Sequence, residues 1–150
     1  MELILWRHAE AEDGAPDAAR QLTEKGLDQA KRMAGWLKSK LPENTQMIVS
    51  PTRRTQQTAM ALRSDFVTNN EIGPGASVES ILAVADWSNV QGAVVIVGHQ
   101  PTLGEVVSYL IPAISPGLRV KKGSVWWIQF RKKENRIEPA LHIVIYPEML

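Results

Sequence analysis

Three short runs of uninterrupted apolar residues constrain this chain more than any other feature. Leu3-Ile4-Leu5-Trp6, Met47-Ile48-Val49 and Ala93-Val94-Val95-Ile96-Val97 contain no polar residue at alternate positions. A strand with one wet face alternates apolar and polar residues, whereas an uninterrupted run is buried on both faces. The segments between these runs have helical period. Leu27, Ala30, Ala34, Leu37 and Leu41 share one face of a helix that Thr23 caps and Pro42 ends. A second helix is predicted from about Arg53 to Arg63, directly after Ser50-Pro51-Thr52, and a third from a Ser77 cap to about Asp86. Thr102 and Glu105 have the spacing of a capping box for a fourth helix reaching about Leu110. Phe66-Val67 is a candidate short strand.

This alternation predicts an α/β fold of three layers, a mostly parallel sheet with helices on both faces. The C-terminal part differs. Ser124 to Phe130 and Ile137 to Tyr146 are extended runs separated by the polar stretch Arg131 to Arg136, which predicts an antiparallel hairpin at the sheet edge. An α+β sandwich of the same elements is the alternative architecture.

The chain has 150 residues, 44% of them hydrophobic, which suits one domain spanning residues 1–150. Its net charge is only +1, so bulk charge gives no reason to expect a nucleic-acid partner, and anion binding must come from local Arg and Lys. The absence of cysteine excludes disulfides, thiolate nucleophiles and Cys-ligated metals, and fits a reducing compartment. The apolar run at the N-terminus is too short for a secretory signal, and no run approaches the roughly 20 apolar residues of a membrane span. The expectation is a cytoplasmic protein that meets neither membrane nor nucleic acid, and a monomer.

Ligands bind beyond the carboxyl ends of the strands in such sheets. Three predicted strands end at conspicuous polar groups: Arg7-His8, Ser50-Pro51-Thr52-Arg53-Arg54, and Gly98-His99-Gln100-Pro101. Guanidinium forks hold phosphate oxygens in pairs, and helix N-termini add N–H donors. A neutral imidazole can attack phosphorus and form a covalent phosphoenzyme. Nearby Arg charges favour the neutral ring. The other ring nitrogen needs an acceptor to set the tautomer, expected to be a backbone carbonyl near Ala15 to Asp17.

Arg7-His8 resembles the Arg-His-Gly signature of the histidine phosphatase superfamily, the phosphoglycerate mutase-like group, with Ala9 where Gly is usual. Ser50-Pro51-Thr52-Arg53-Arg54-Thr55-Gln56-Gln57-Thr58-Ala59 is similar to its second-strand motif, and Val97-Gly98-His99-Gln100-Pro101 to its second His motif. Arg20-Gln21-Leu22-Thr23-Glu24-Lys25-Gly26 resembles a stretch of the short, SixA-type branch of phosphohistidine phosphatases, and the compact length leaves little room for a mutase lid. The resemblance spans roughly residues 2 to 110. It implies a phosphatase with His8 as nucleophile and Arg7, Arg54 and His99 around the phosphoryl group. His99, if protonated, would donate to the developing charge. It implies Arg20 at the pocket rim, and neither cofactor nor metal.

The mutase-like branch also uses an acidic residue as general acid. Glu71 is the nearest candidate here, also at the rim, and Asp86 is more remote. An imidazole leaving group needs less help from an acid. The leading function is therefore hydrolysis of phosphohistidine in a signalling or phosphotransfer protein. Alternatives are hydrolysis of small phosphate monoesters and a non-catalytic phosphopeptide-binding module. His142, in the last strand, is expected to be structural, and Arg53 a solvent-facing neighbour of Arg54. Alternation along the strand puts one ring of Trp126-Trp127 inward and one outward. Lys121-Lys122 reads equally as a guide for an acidic partner or a solvated turn.

Overall fold

The computed structural model describes residues 1–86 and 91–150. Six strands form one sheet: β1 Glu2–Arg7, β2 Gln46–Val49, β3 Val67–Thr68, β4 Ala93–Gly98, β5 Val125–Lys133 and β6 Arg136–Ile145. Their order is β3-β2-β4-β1-β5-β6. The first four are mutually parallel, and β5 and β6 form an antiparallel hairpin at the edge. Four helices cover the sheet: α1 Glu24–Lys38, α2 Arg53–Met60, α3 Val78–Ala85 and α4 Thr102–Leu110. This is the expected α/β architecture rather than the sandwich. Among the described residues no helix is long and apolar enough to cross a membrane.

The uninterrupted runs are buried on both faces. Leu3, Leu5, Val94 and Ile96 belong to one core cluster with residues of α3 and α4. Ile4, Trp6, Val95 and Val97 belong to the other with residues of α1 and α2. Trp126 and Trp127 divide in the same way, at 6% and 3% exposure, so the expectation of one outward ring is corrected. Alternation sends them to opposite faces, and helices cover both. Trp36 meets Trp127 edge-on at 6.2 Å between ring centroids, and His142 also lies against Trp127, at 5.8 Å.

Helix α1 begins as expected at the Thr23 cap, whose side chain accepts from Gly26 N. Its buried face is Gly26, Gln29, Ala30, Met33, Ala34 and Leu37, so Ala30, Ala34 and Leu37 lie inward as predicted while Leu27 is half exposed and Gly26 takes its place at the start of the stripe. The capping box at Thr102 does not form. Thr102 Oγ1 donates to Ala76 O, and Gln100 Oε1 takes the helix donor Gly104 N. A reader of the sequence sees the Thr-x-x-Glu spacing but not that Gln100 lies two residues earlier in position to cap.

Gly26 shows why that position excludes a side chain. A Cβ there would drive into the Glu10 carbonyl oxygen, a backbone atom that also accepts from Thr23 N. Alanine ordinarily gains about 1 kcal/mol over glycine in a helix, but a clash with immovable backbone costs more. Gly26→Ala should lower stability by about 2 kcal/mol. Gly35, exposed in the same helix with open space at its Cβ, should gain about 0.5–1 kcal/mol on the same change. Denaturant midpoints of the two variants test the contrast.

Candidate active site

The register of β2, β4 and β1 sets the site. Arg7 lies opposite Gly98, and Val49 opposite Val97, so His8, His99 and Ser50 leave three adjacent strands side by side. His8 N donates to Gly98 O at 3.2 Å, and Ser50 N to Val97 O at 3.1 Å, which holds these residues at the strand ends. The two rings stand 5.4 Å apart between centroids, tilted by 55°. Arg54 comes from the first turn of α2, whose Thr52 cap follows β2 by three residues.

His8 Nδ1 lies 2.7 Å from Ala9 O. A carbonyl only accepts, so Nδ1 carries the proton and Nε2 is left with its lone pair. The acceptor is thus the next residue in the chain, which corrects the expectation of a carbonyl near 15–17. Ala9 N donates to Thr58 Oγ1, and Thr58 Oγ1 donates to Arg54 O, so the turn after β1 is braced against α2. Ala9 is fully buried and stays outside the left-handed region, so this turn does not require glycine.

The Asp17 carbonyl serves Arg54 instead. Arg54 Nη1 donates to it at 2.9 Å, and Nη2 donates to Asp17 Oδ2 at 3.1 Å. Asp17 Oδ1 also pairs with Arg20 Nη1 at 3.1 Å, and Arg20 Nε donates to Glu12 O. Arg20 therefore stands at the rim and reaches the centre through Asp17. Ser50 Oγ meets His99 Nε2 at 2.7 Å, and Arg54 Nη2 approaches His99 Nδ1 at 3.5 Å. Since a guanidinium only donates, His99 Nδ1 is the acceptor and Nε2 bears the proton. Arg7 Nη1 donates to Val120 O at 2.9 Å. Arg7 Nε and Arg54 Nε are buried without a partner among the described residues. Buried guanidinium donors without a partner are uncommon, and the two here belong to the arginines that flank the imidazole pair.

Burial, more than charge, keeps the imidazoles neutral. It pushes His8 down to about 3 against the pull of the Ala9 carbonyl, with His99, Arg7 and Arg54 pushing the same way as burial. His99 is pushed down to about 4, first by burial and then by Arg54, with Asp17 opposing. Below an ordinary His value near 6.5, the unfolded chain takes up protons that the folded one refuses. The stability these rings contribute is complete above about pH 6.5 and drains away as pH falls through 4 toward 3. The denaturation midpoint should therefore drop between pH 7 and pH 4.5, and drop less in His8→Ala.

Asp17, Ser50 as the His99 partner, and Thr58 as the brace went unassigned in the sequence reading. The Ser50 and Thr58 signals were present, since both stand in the second-strand motif. Asp17 gave none beyond lying three residues before Arg20. Glu71 sits exposed on a 3-10 turn, Asn70–Ile72, after β3, with its backbone N bonded to Asn69 Oδ1. The structure gives its carboxylate no hydrogen bond or ion pair to Arg7, Arg54 or His99 among the described residues. Asp86 ends α3 in a left-handed conformation. Arg53 is exposed, as expected.

Two imidazoles framed by two guanidiniums, at the carboxyl edge of a mostly parallel sheet, define an enzyme that handles phosphoryl groups. Residues 3–75 match the family model of the histidine phosphatase superfamily, branch 1. The phosphohistidine phosphatase SixA of Escherichia coli is 31% identical over 125 residues, covering 77% of this chain and 78% of its own. The chain belongs to the histidine phosphatase superfamily. The structure of the protein histidine phosphatase SixA complexed with tungstate shares the fold, with a TM-score of 0.81 at 24% identity over 99% of both chains. A mutant phosphoserine phosphatase from Entamoeba histolytica in complex with phosphoserine shares it too, with a TM-score of 0.74 at 16% identity over 99% of this chain and 98% of that one.

Proposed function

We propose that this enzyme hydrolyses phosphohistidine on a protein, with His8 as nucleophile. His8 Nε2 attacks phosphorus in line, the bond from phosphorus to the substrate imidazole breaks, and its electron pair stays on that imidazole, which takes a proton from water. Water then attacks phosphohistidine-8, the new P–N bond breaks, and phosphate leaves with His8 restored. Arg7 and Arg54 hold the phosphoryl oxygens. The charge of the bound group raises the His99 pKa from its low value, so that His99 protonates and donates.

The observation that carries the choice of substrate is the bonding of Asp17. Among the described residues it is the carboxylate that pairs with Arg54, and its two oxygens accept from Arg20 Nη1 and Arg54 Nη2, which leaves no proton on it to give. An ionised carboxylate cannot protonate an alkoxide leaving group. A phosphate ester needs that proton, whereas an imidazole leaves with far less assistance. Similarity to an enzyme named for phosphohistidine points the same way. A protein histidine phosphatase of the same fold binds tungstate, an oxyanion that resembles phosphate.

Phosphate release from a phosphohistidine-carrying protein, beside a panel of small phosphate monoesters, tests the reading. A general acid contributes about 10²–10⁴-fold, so kcat/KM for the protein should exceed that for the esters by at least about 10². Faster release from the esters would move the function to small-molecule hydrolysis.

A further inference from the structure

Several guanidiniums elsewhere on the molecule are paired, although exposed Arg53 has no ion pair among the described residues. Arg32 meets Asp28 at 2.7 Å, Arg63 meets Asp65 at 3.4 Å, and Arg131 and Arg136 share Glu138 at 3.0 and 2.8 Å. The segment between α4 and β5 is different. Arg119, Lys121 and Lys122 are all exposed, and residues 111–124 contain no Asp or Glu. None of the three forms an ion pair among the described residues. Lys121 Nζ instead lies 5.0 Å from the centroid of the Tyr146 ring.

This unpaired positive segment is bound to the strand end that carries the reacting groups. Val120 O accepts from Arg7 Nη1. Gly123 N is shared between Arg7 O at 3.1 Å and His8 O at 3.0 Å, and Gly123 O accepts from Trp6 Nε1 at 3.2 Å. The charge of Arg119 is felt at Arg7, whose guanidinium it pushes down after burial does. Arg7 and Arg54 already serve the phosphoryl group in the proposed reaction, and the backbone bonds of Val120 and Gly123 to Arg7 and His8 set these outer cations next to the site, where a substrate's flanks would lie. With a net charge of only +1, the field is local to this shoulder and not a property of the whole surface. That confinement fits a compact acidic patch better than the extended phosphate track of a nucleic acid.

We infer that the Arg119–Lys122 segment docks a carboxylate-rich protein surface, so that the preferred substrate presents its phosphohistidine among Asp and Glu side chains. The inference rests on the function proposed above and names the surroundings of that substrate.

Two synthetic phosphohistidine peptides, one flanked by aspartates and one by lysines, test it, with phosphoramidate as a probe that has no flanks. Wild-type kcat/KM should favour the aspartate peptide by about 10-fold or more at low ionic strength, and the preference should shrink as salt shortens the screening length below about 8 Å. Lys121→Glu/Lys122→Glu should abolish or invert it, and Arg119→Ser should reduce it. Phosphoramidate turnover should stay at the wild-type level in both variants, which verifies an intact pocket. Equal rates on the two peptides in the wild type, or a preference that survives charge reversal, would overturn the docking surface while leaving the phosphatase reading in place. No turnover of any of the three probes would remove both.

Discussion

His8→Ala is expected to lower phosphate release from a phosphohistidine-carrying protein by on the order of 10⁴ or more while leaving the fold intact. The loss is large because Nε2 of His8 is the only atom proposed to bond to phosphorus; the guanidiniums and His99 retain the ability to bind but not to accept the group. The fold survives because His8 belongs to neither large core cluster and its side-chain hydrogen bond goes to the adjacent Ala9. Brief incubation with labelled substrate followed by an alkaline quench should leave acid-labile label on the wild type and none on the variant. Release that persists in His8→Ala would overturn the nucleophile assignment.

Arg54→Ala should cost about 10²–10³-fold in kcat/KM and weaken inhibition by inorganic phosphate in parallel. The guanidinium supplies charge-assisted bonds where negative charge gathers, and it is only 5% exposed, so water cannot replace it well. It also holds the 9–22 loop, since both terminal nitrogens end on Asp17. Arg54→Lys should recover little, because a point charge cannot grip Asp17 with one edge and an oxyanion with the other. Asp17→Asn leaves the carbonyl and one side-chain acceptor in place, so it should harm turnover less than Asp17→Ala. Equal damage from the two would show that Asp17 acts by charge alone. A full set of rates for Arg54→Ala against wild type, with phosphate as competitor, separates binding from turnover.

The parts of this molecule legible in the sequence are those set by local pattern. The doubly buried strands showed themselves as unbroken apolar runs, and the caps at Thr23 and Ser77 stand where side-chain chemistry puts them. His8 and His99 were visible because each follows a strand directly, and a parallel sheet gathers such residues at one edge; Arg54, in the first turn of α2, was visible through the motif that follows β2. What could not be read depends on contacts between distant segments. Gln100 displaced the Thr102 cap because its side chain reached Gly104 first. Gly26 rather than Leu27 lies inward at the start of α1, close against the Glu10 carbonyl, a packing fact that no periodicity reports. Asp17 entered the site because a single 3-10 turn carried it onto Arg54, and neither ring of Trp126-Trp127 is outward because both faces of the sheet are covered.

The sheet order has a consequence for the birth of the protein on the ribosome. Strand β4 lies between β1 and β2, which have no ladder with each other. The first half of the chain therefore carries Arg7, His8 and Arg54 without the strand that joins their supports. Pairing must wait until residues beyond 98 have emerged, a contact of high sequence separation and slow closure. A nascent chain released early should be inert, and activity should switch on in one step with the insertion of the central strand.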